Sequence, residues 1–268
     1  MKISKELRVD PGQAVDLRAI DPDATPSAKK EDADKLLAEH VLEMDRLQYL
    51  LYAENKHALL IVLQGMDAAG KDGTIRHVMS GMNPQGVKVT SFKTPSAEEQ
   101  DHDFLWRIHK AVPCKGEVGV FNRSHYEDVV VVRVHDLAPK DVWKARYEQI
   151  NAFEKMLTDC GVTILKFFLH ISKDEQLERL KARVTDPTRN WKLSPTDFAE
   201  RKRWDDYTNA YEDALEKCST SWAPWHIVPA NKKWYRNLVI SQVIVDTLRG
   251  FDMRYPPAAC DLSTLKIE

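Results

Sequence analysis

The sequence has little with which to staple, anchor or coat. Its four cysteines, Cys114, Cys160, Cys218 and Cys260, stand more than forty residues apart, so none pair at metal-ligand spacing and no disulfide framework is expected. No apolar run reaches the roughly 18 residues a spanning helix needs, and Met1 to Asp10 lack the apolar centre of a signal peptide. A cytoplasmic, reducing setting with no membrane partner is the expectation. A formal net charge of −2 argues against a nucleic-acid-coating protein, so any polyanion site must be a local cluster. His-Glu-x-x-His and Gly-x-Ser-x-Gly are both missing, which removes the commonest metalloprotease and serine-hydrolase signatures. There is no internal repeat.

What is there centres on Gly65-Met66-Asp67-Ala68-Ala69-Gly70-Lys71-Asp72-Gly73, between an apolar run, Ala58 to Leu63, and a helix-like segment from Gly73 to Met82. Glycine, four residues, then Gly-Lys is the spacing of a phosphate loop: backbone N–H groups curl around a phosphate and the lysine adds a point charge. The following helix adds free amides and a positive dipole end. Gly65, Ala69, Gly70, Lys71, Asp72 and Gly73 are the phosphate-binding candidates. A tight strand-to-helix turn would explain the glycines but not the lysine. Asp72 replaces the usual magnesium-holding Ser or Thr, and Asp67 lies inside the loop.

The 268 residues, 43% hydrophobic, suffice for one large domain with an appendage. Residues 1–28 mix charges with three prolines and read as an extended arm; 29–250 form the main domain and 251–268 a tail. Leu36, Leu37, Val41, Met44, Leu47, Leu50 and Leu51 recur at helical steps over Lys29 to Asn55. Further strands are expected at Val87 to Phe92, Glu117 to Asn122, Val162 to His170 and Trp225 to Pro229. Capping boxes at Ser96/Glu99 and Ser172/Glu175 open helices running to about Ala111 and through Arg183. Helices are also expected over Pro139 to Asp159, from Ser194-Pro195 to about Cys218, and over Trp234 to Arg249. Strands alternating with helices predict an α/β fold, a mostly parallel five-stranded sheet covered on both faces.

Ligands of such a sheet gather at the carboxyl ends of its strands. The third strand exits into Asn122-Arg123-Ser124, where phosphate-loop proteins usually present a metal-shell aspartate. Asn122 is neutral, so Asp67 becomes the metal candidate with Glu127 second; magnesium tolerates so thin a protein shell. Arg123 after a buried strand needs a partner, either phosphate or a nearby acid such as Glu127 or Asp128. A basic group including Arg179, Arg183, Lys192 and Arg201 flanks a polar loop and reads as a lid over about 180–207, although interleaved acids make part of it a solvated face. Lys93, Arg107, His109 and Lys110 form a second basic set after the second strand.

These residues resemble the polyphosphate kinase family 2, which moves phosphoryl groups between inorganic polyphosphate and nucleotides. The likeness rests on the 65–73 loop, Ser91-Phe92-Lys93-Thr94-Pro95-Ser96, residues 103–109, Phe121-Asn122-Arg123-Ser124-His125-Tyr126-Glu127-Asp128 and Trp234-Tyr235-Arg236, and spans about Leu36 to Arg249. It implies a three-layer phosphate-loop kinase fold with a helical lid, Mg2+ dependence and a homo-oligomer, dimer or tetramer. Asp67, Lys71, Arg123 and Arg183 fall on family catalytic positions, and Asn122 stands where many members carry Asp. The 122–128 block resembles the subgroup acting on both AMP and ADP, with guanine nucleotides as a further acceptor class. The polyphosphate would lie along Lys93, Arg107, Lys110, Lys192 and Arg201. An ATP-dependent nucleoside monophosphate kinase and a non-catalytic nucleotide switch are the alternatives.

Overall fold

Ala-Leu-Leu-Ile-Val-Leu-Gln is apolar on both faces, and in the computed structural model it forms β1 (Ala58–Gln64) with every residue buried. A strand of this kind belongs in the middle of a parallel sheet covered twice. The described residues are 2–261 and 263, so 262 and 264–268 of the expected tail lie outside them. β2 (Val87–Ser91), β3 (Val118–Asn122), β4 (Val162–His170) and β5 (Trp225–Pro229) complete a five-stranded, all-parallel sheet in the order β2-β3-β1-β4-β5. Only β2, at the edge, is largely exposed. The register sets Leu63 opposite Asn122, so the exits of β1 and β3 lie side by side.

Helices α1 (Lys2–Leu7), α2 (Lys30–Glu54) and α3 (Lys71–Val78) precede β2; α4 (Ala97–Gln100) and α5 (Trp106–His109) precede β3. Then come α6 (Glu127–Val134), α7 (Lys140–Asp159), α8 (Lys173–Thr185), α9 (Pro195–Lys202), α10 (Trp204–Cys218) and α11 (Lys233–Arg249). α2 and α3 pack with α11 in one layer, and α6, α7 and α10 pack together in the other.

Several local expectations change. α2 buries Ala33, His40, Met44, Leu47 and Leu51, while Leu36 is exposed and Leu37 half-buried, because at this end α2 meets α11 through the Ala33 and His40 side, His40 Nδ1 lying 2.8 Å from Ser241 Oγ. The helix expected from Ser96 to Ala111 is two short ones, separated at Asp101 to Leu105, where Asp103 Oδ1 accepts from the Leu105 amide and turns the chain before Trp106. The helix expected from Ser194 breaks at Arg203, whose guanidinium turns to the Val134 carbonyl. At Ser172 only half the capping box forms: Ser172 Oγ accepts from the Glu175 amide, but the Glu175 carboxylate is taken by Arg179. The phosphate-loop helix begins at Lys71, two residues earlier than expected.

The first 28 residues hold α1, an isolated bridge from Arg8 to His226 on β5, and then a path without regular structure. Leu7, Val9 and Leu17 are buried in the main core. Among the described residues no helix is long and apolar enough to cross a membrane.

Candidate active site

The loop leaving β1 is shaped by what stands against it. A Cβ on Gly65 would come within 2.7 Å of the Leu169 carbonyl, and Gly70 sits at φ 109° with the Arg236 guanidinium where a side chain would be. Glycine alone fits both positions. Lys71, 8% exposed, folds back along the loop and donates to the Gly65 carbonyl at 2.7 Å. Burial, reinforced by the Arg123 charge, lowers its pKa to about 8 against the pull of Asp67, Glu127 and Asp72.

Arg123 leaves β3 in a left-handed conformation, φ 63°, tied by its amide to the Leu63 carbonyl at 3.1 Å. A non-glycine residue in that conformation is strained and persists where the surroundings dictate it. The twist carries the guanidinium across to β1's loop. There Nη2 donates to Asp67 Oδ1 at 2.7 Å and Nη1 stands 3.6 Å from Glu127 Oε2. Burial raises the Glu127 pKa, with Arg123 and Lys71 resisting the shift. Gly65, Asp67, Arg123 and Glu127 line one cavity, closed on another side by Arg201, Trp204 and Tyr207.

Beside this cavity lies a second group. Asp72 accepts from Asn122 Nδ2 at 2.8 Å and from Lys192 Nζ at 2.7 Å. These two hydrogen bonds lower its pKa although burial works against them. Arg183 is farther out, 3.9 Å from Asp197. Arg201 reaches the cavity wall but spends its guanidinium on the Lys173 carbonyl and Gln176.

The second basic set lies apart, beyond edge strand β2. Lys93 is exposed, and Lys110 Nζ lies 3.9 Å above the Trp106 ring. Arg107 turns inward, donating to the Lys93 carbonyl at 2.8 Å and standing 3.8 Å from Asp128. It is the only residue of this set whose contacts lead toward the β3 exit.

Sequence reasoning grouped Arg179 with the basic lid residues and quoted Arg236 only within a motif, and so missed that both support the loop from beneath. Arg179 Nη1 donates to the Ala68 and Ala69 carbonyls while its Nη2 donates to Ala230 and Asn231. Arg236, 2% exposed, contributes a longer bond to Ala69 and has its pKa lowered to about 10 by burial and by Arg179. An arginine in the first turn of α11, ahead of the apolar positions Leu238, Val239 and Ile240, was the available signal, since a buried guanidinium needs partners. Gln64 and Tyr211, joined at 3.4 Å beneath the cavity, carried none.

A family model described as Polyphosphate kinase 2 matches residues 27–256. The chain is 52% identical over 254 residues to the AMP/ADP-polyphosphate phosphotransferase of Meiothermus ruber, with 94% of this chain and 95% of that one covered. It is 48% identical over 270 residues to the ADP-polyphosphate phosphotransferase of Rhodopseudomonas palustris, with 96% and 93% covered. The crystal structure of Polyphosphate Kinase 2 from Arthrobacter aurescens TC1 superposes with a TM-score of 0.93 at 48% identity, covering 97% of this chain and 94% of that one. With a phosphate loop and a facing arginine on one sheet end, and likeness along nearly its whole length, this chain belongs to the polyphosphate kinase 2 family.

Proposed function

We propose that this chain transfers the terminal phosphoryl group of inorganic polyphosphate to AMP and to ADP, giving ADP and ATP. The reaction exchanges one phosphoanhydride for another and is therefore reversible. The observation that carries the reading is the Arg123–Asp67 pair at 2.7 Å, which brings the exit of β3 onto the phosphate loop. The names of the relatives from Meiothermus ruber and Rhodopseudomonas palustris support the two acceptors.

Such a transfer asks for alignment and charge neutralisation more than covalent chemistry. In this reading Lys71 and the loop amides grip the phosphates on either side of the moving group. Arg123 gives up part of its contact with Asp67 and Glu127 to meet the equatorial oxygens. Arg183, Lys192 and Arg201 approach from the lid, and Lys93 and Lys110 extend the groove for the rest of the polyphosphate. Asn122 holds Asp72 in place.

Magnesium fits the donors present. Asp67 and Glu127 converge on one guanidinium from two sides, and the hard ion accepts one or two carboxylates completed by phosphate oxygens and water. Among the described residues no cluster of three or more His, Cys, Asp or Glu would hold a metal alone, which suits an ion brought in with phosphate. Asp67 would hold it, with Glu127 behind, and when bound the ion neutralises charge on the transferring phosphoryl oxygens. We place the reaction in the cytoplasm, in keeping with the four unpaired cysteines. We also propose a homo-oligomer, supported by the exposed stripe Leu42, Tyr49 and Tyr52 on α2.

The test is the purified protein with magnesium and polyphosphate, AMP and ADP supplied separately, and ATP followed by light emission. Polyphosphate-dependent ATP from ADP, and ADP from AMP, is expected. Removing Lys71 or Arg123 should slow turnover by on the order of a hundredfold, about 3 kcal/mol. Transfer from ATP to AMP with none from polyphosphate would replace this reading with an ordinary monophosphate kinase.

A further inference from the structure

We infer that residues 16–26, which lie outside the 27–256 matched by the family model, form a positioning strap for the transfer site, with Asp23 acting on the phosphate loop and Arg18 on α10. The inference rests on the phosphotransfer reading only for its kinetic arm.

The segment is anchored before it reaches the site. Leu17 is 3% exposed, Ile20 packs against the core, and His170 Nε2 at the end of β4 donates to the Ile20 carbonyl at 3.0 Å. From there Asp23 Oδ2 accepts from Asn231 Nδ2 at 2.8 Å, the Asp23 carbonyl accepts from Lys232 Nζ at 2.7 Å, and the Pro22 carbonyl accepts from the Asn231 amide at 3.2 Å. Asn231 is thus held from its backbone and its side chain together.

Asn231 is a junction. Its Oδ1 accepts from the Ser172 amide at 3.0 Å at the start of α8, and its carbonyl accepts from Arg179 Nη2 at 3.0 Å. The other arm of the same guanidinium donates to Ala68 at 3.0 Å and Ala69 at 2.8 Å in the phosphate loop. Two rigid links therefore separate Asp23 from the loop backbone. A planar guanidinium transmits position because its donors have a fixed geometry.

The second limb reaches α10. Arg18 donates to Glu212 at 3.1 Å and to Asn209 at 2.9 Å, and the Leu17 amide donates to Glu212 at 2.9 Å. Asn209 and Glu212 lie three apart on one face of the helix. Trp204, Tyr207 and Tyr211, from the other face, line the cavity with Asp67 and Arg123. The strap thus fixes the rotation of the helix that walls the site.

The experiment is hydrogen exchange by mass spectrometry on the full chain without substrate, for wild type, Asp23→Ala, Asp23→Asn and Arg18→Ala. These are exposed contacts, so only about two- to fivefold faster exchange is expected. Asp23→Ala should show it in peptides covering 66–72 and 172–179, with Asp23→Asn, which keeps an acceptor, restoring protection. Arg18→Ala should show it in 204–212 and leave the loop unchanged. In turnover, Asp23→Ala should lower kcat several-fold with the KM for polyphosphate within twofold. Changes confined to 16–26 and 231–232, or a uniform loosening of the chain by either variant, would overturn the strap. Because exchange is read without substrate, a wild-type protein with no phosphotransfer would refute the activity and leave this test standing.

Discussion

Placing phosphate around Lys71 should take up a proton. The ammonium lies against the Gly65 and Met66 carbonyls, and burial together with Arg123 holds its pKa at about 8. A phosphate chain supplies the negative charge that burial removes. A return to the ordinary value of 10.5 corresponds to about 3 kcal/mol of coupling between lysine protonation and ligand. The sign follows from which state holds more protons. In the free protein the lowered value costs stability below about 8, and that cost is relieved as pH rises toward 10.5; in the complex the lysine stays protonated. Uptake per site should therefore be near zero at pH 6.5, about half a proton at pH 8 and about three-quarters at pH 8.5. Affinity should weaken up to about tenfold per pH unit above 8. Titration calorimetry with long-chain polyphosphate, in buffers of different ionisation enthalpy, reads this as the slope of observed heat against buffer heat. Lys71→Met supplies the background from the ligand's own terminal groups. Equal slopes for wild type and Lys71→Met at pH 8.5 would refute the reasoning.

Asp67→Asn removes the charge that holds Arg123 at 2.7 Å, so the KM for polyphosphate should fall while kcat drops by about a hundredfold or more; steady-state kinetics at saturating magnesium decides. Gly70→Ala puts a methyl group into the Arg236 guanidinium at a φ of 109°, so loss of most activity with a stability cost of about 1–3 kcal/mol is expected by denaturant melts. Lys166 Nζ donates to Glu154 at 2.6 Å and to Tyr126 at 2.7 Å in a fully buried network. Lys166→Met leaves the buried Glu154 carboxylate with His125 and Tyr126 but without its ammonium partner and should cost about 3–5 kcal/mol. The double variant with Glu154→Leu should recover part of it; a single variant melting within a degree of wild type would contradict the pairing.

The strands were readable because burial on both faces leaves a plain mark: β4 and β5 begin and end at the residues their apolar runs suggest. Helix breaks were not, because tertiary partners decide them. Nothing local announces that Arg203 will reach the Val134 carbonyl and interrupt α9 from α10. α6 carries four consecutive valines, Val129 to Val132, whose β-branched side chains offer no helical signal, yet packing against α7 and α10 makes it a helix. In the site, the phosphate loop and Arg123 were legible because glycine spacing and an arginine after a buried strand are both costly without a reason. The inward turn of Arg107, named only as an outward groove residue, was not legible, since it depends on the Lys93 carbonyl at 2.8 Å and on Glu99 and Asp128 at 3.6 and 3.8 Å, which the fold brings around it.

The same geometry explains how a chain of formal net charge −2 hosts a polyanion site. Two of the key cations already have an exchangeable carboxylate partner: Arg123 has Asp67 and Glu127, and Lys192 has Asp72. Lys71 has only carbonyl oxygens. An isolated cluster of buried cations would repel itself and lower the pKa of its lysine further, whereas interleaved carboxylates keep the guanidinium placed at little net field. If a phosphate chain enters as proposed, its oxygens would compete for Arg123 and Lys192, and the released Asp67 would be left beside phosphate oxygens, where a divalent cation is the natural counter-charge. The acids that dilute the basic signal in the sequence are in this reading the part of the site that makes room for the metal. A composition count therefore understates the site, because pairing hides its charges until substrate separates them.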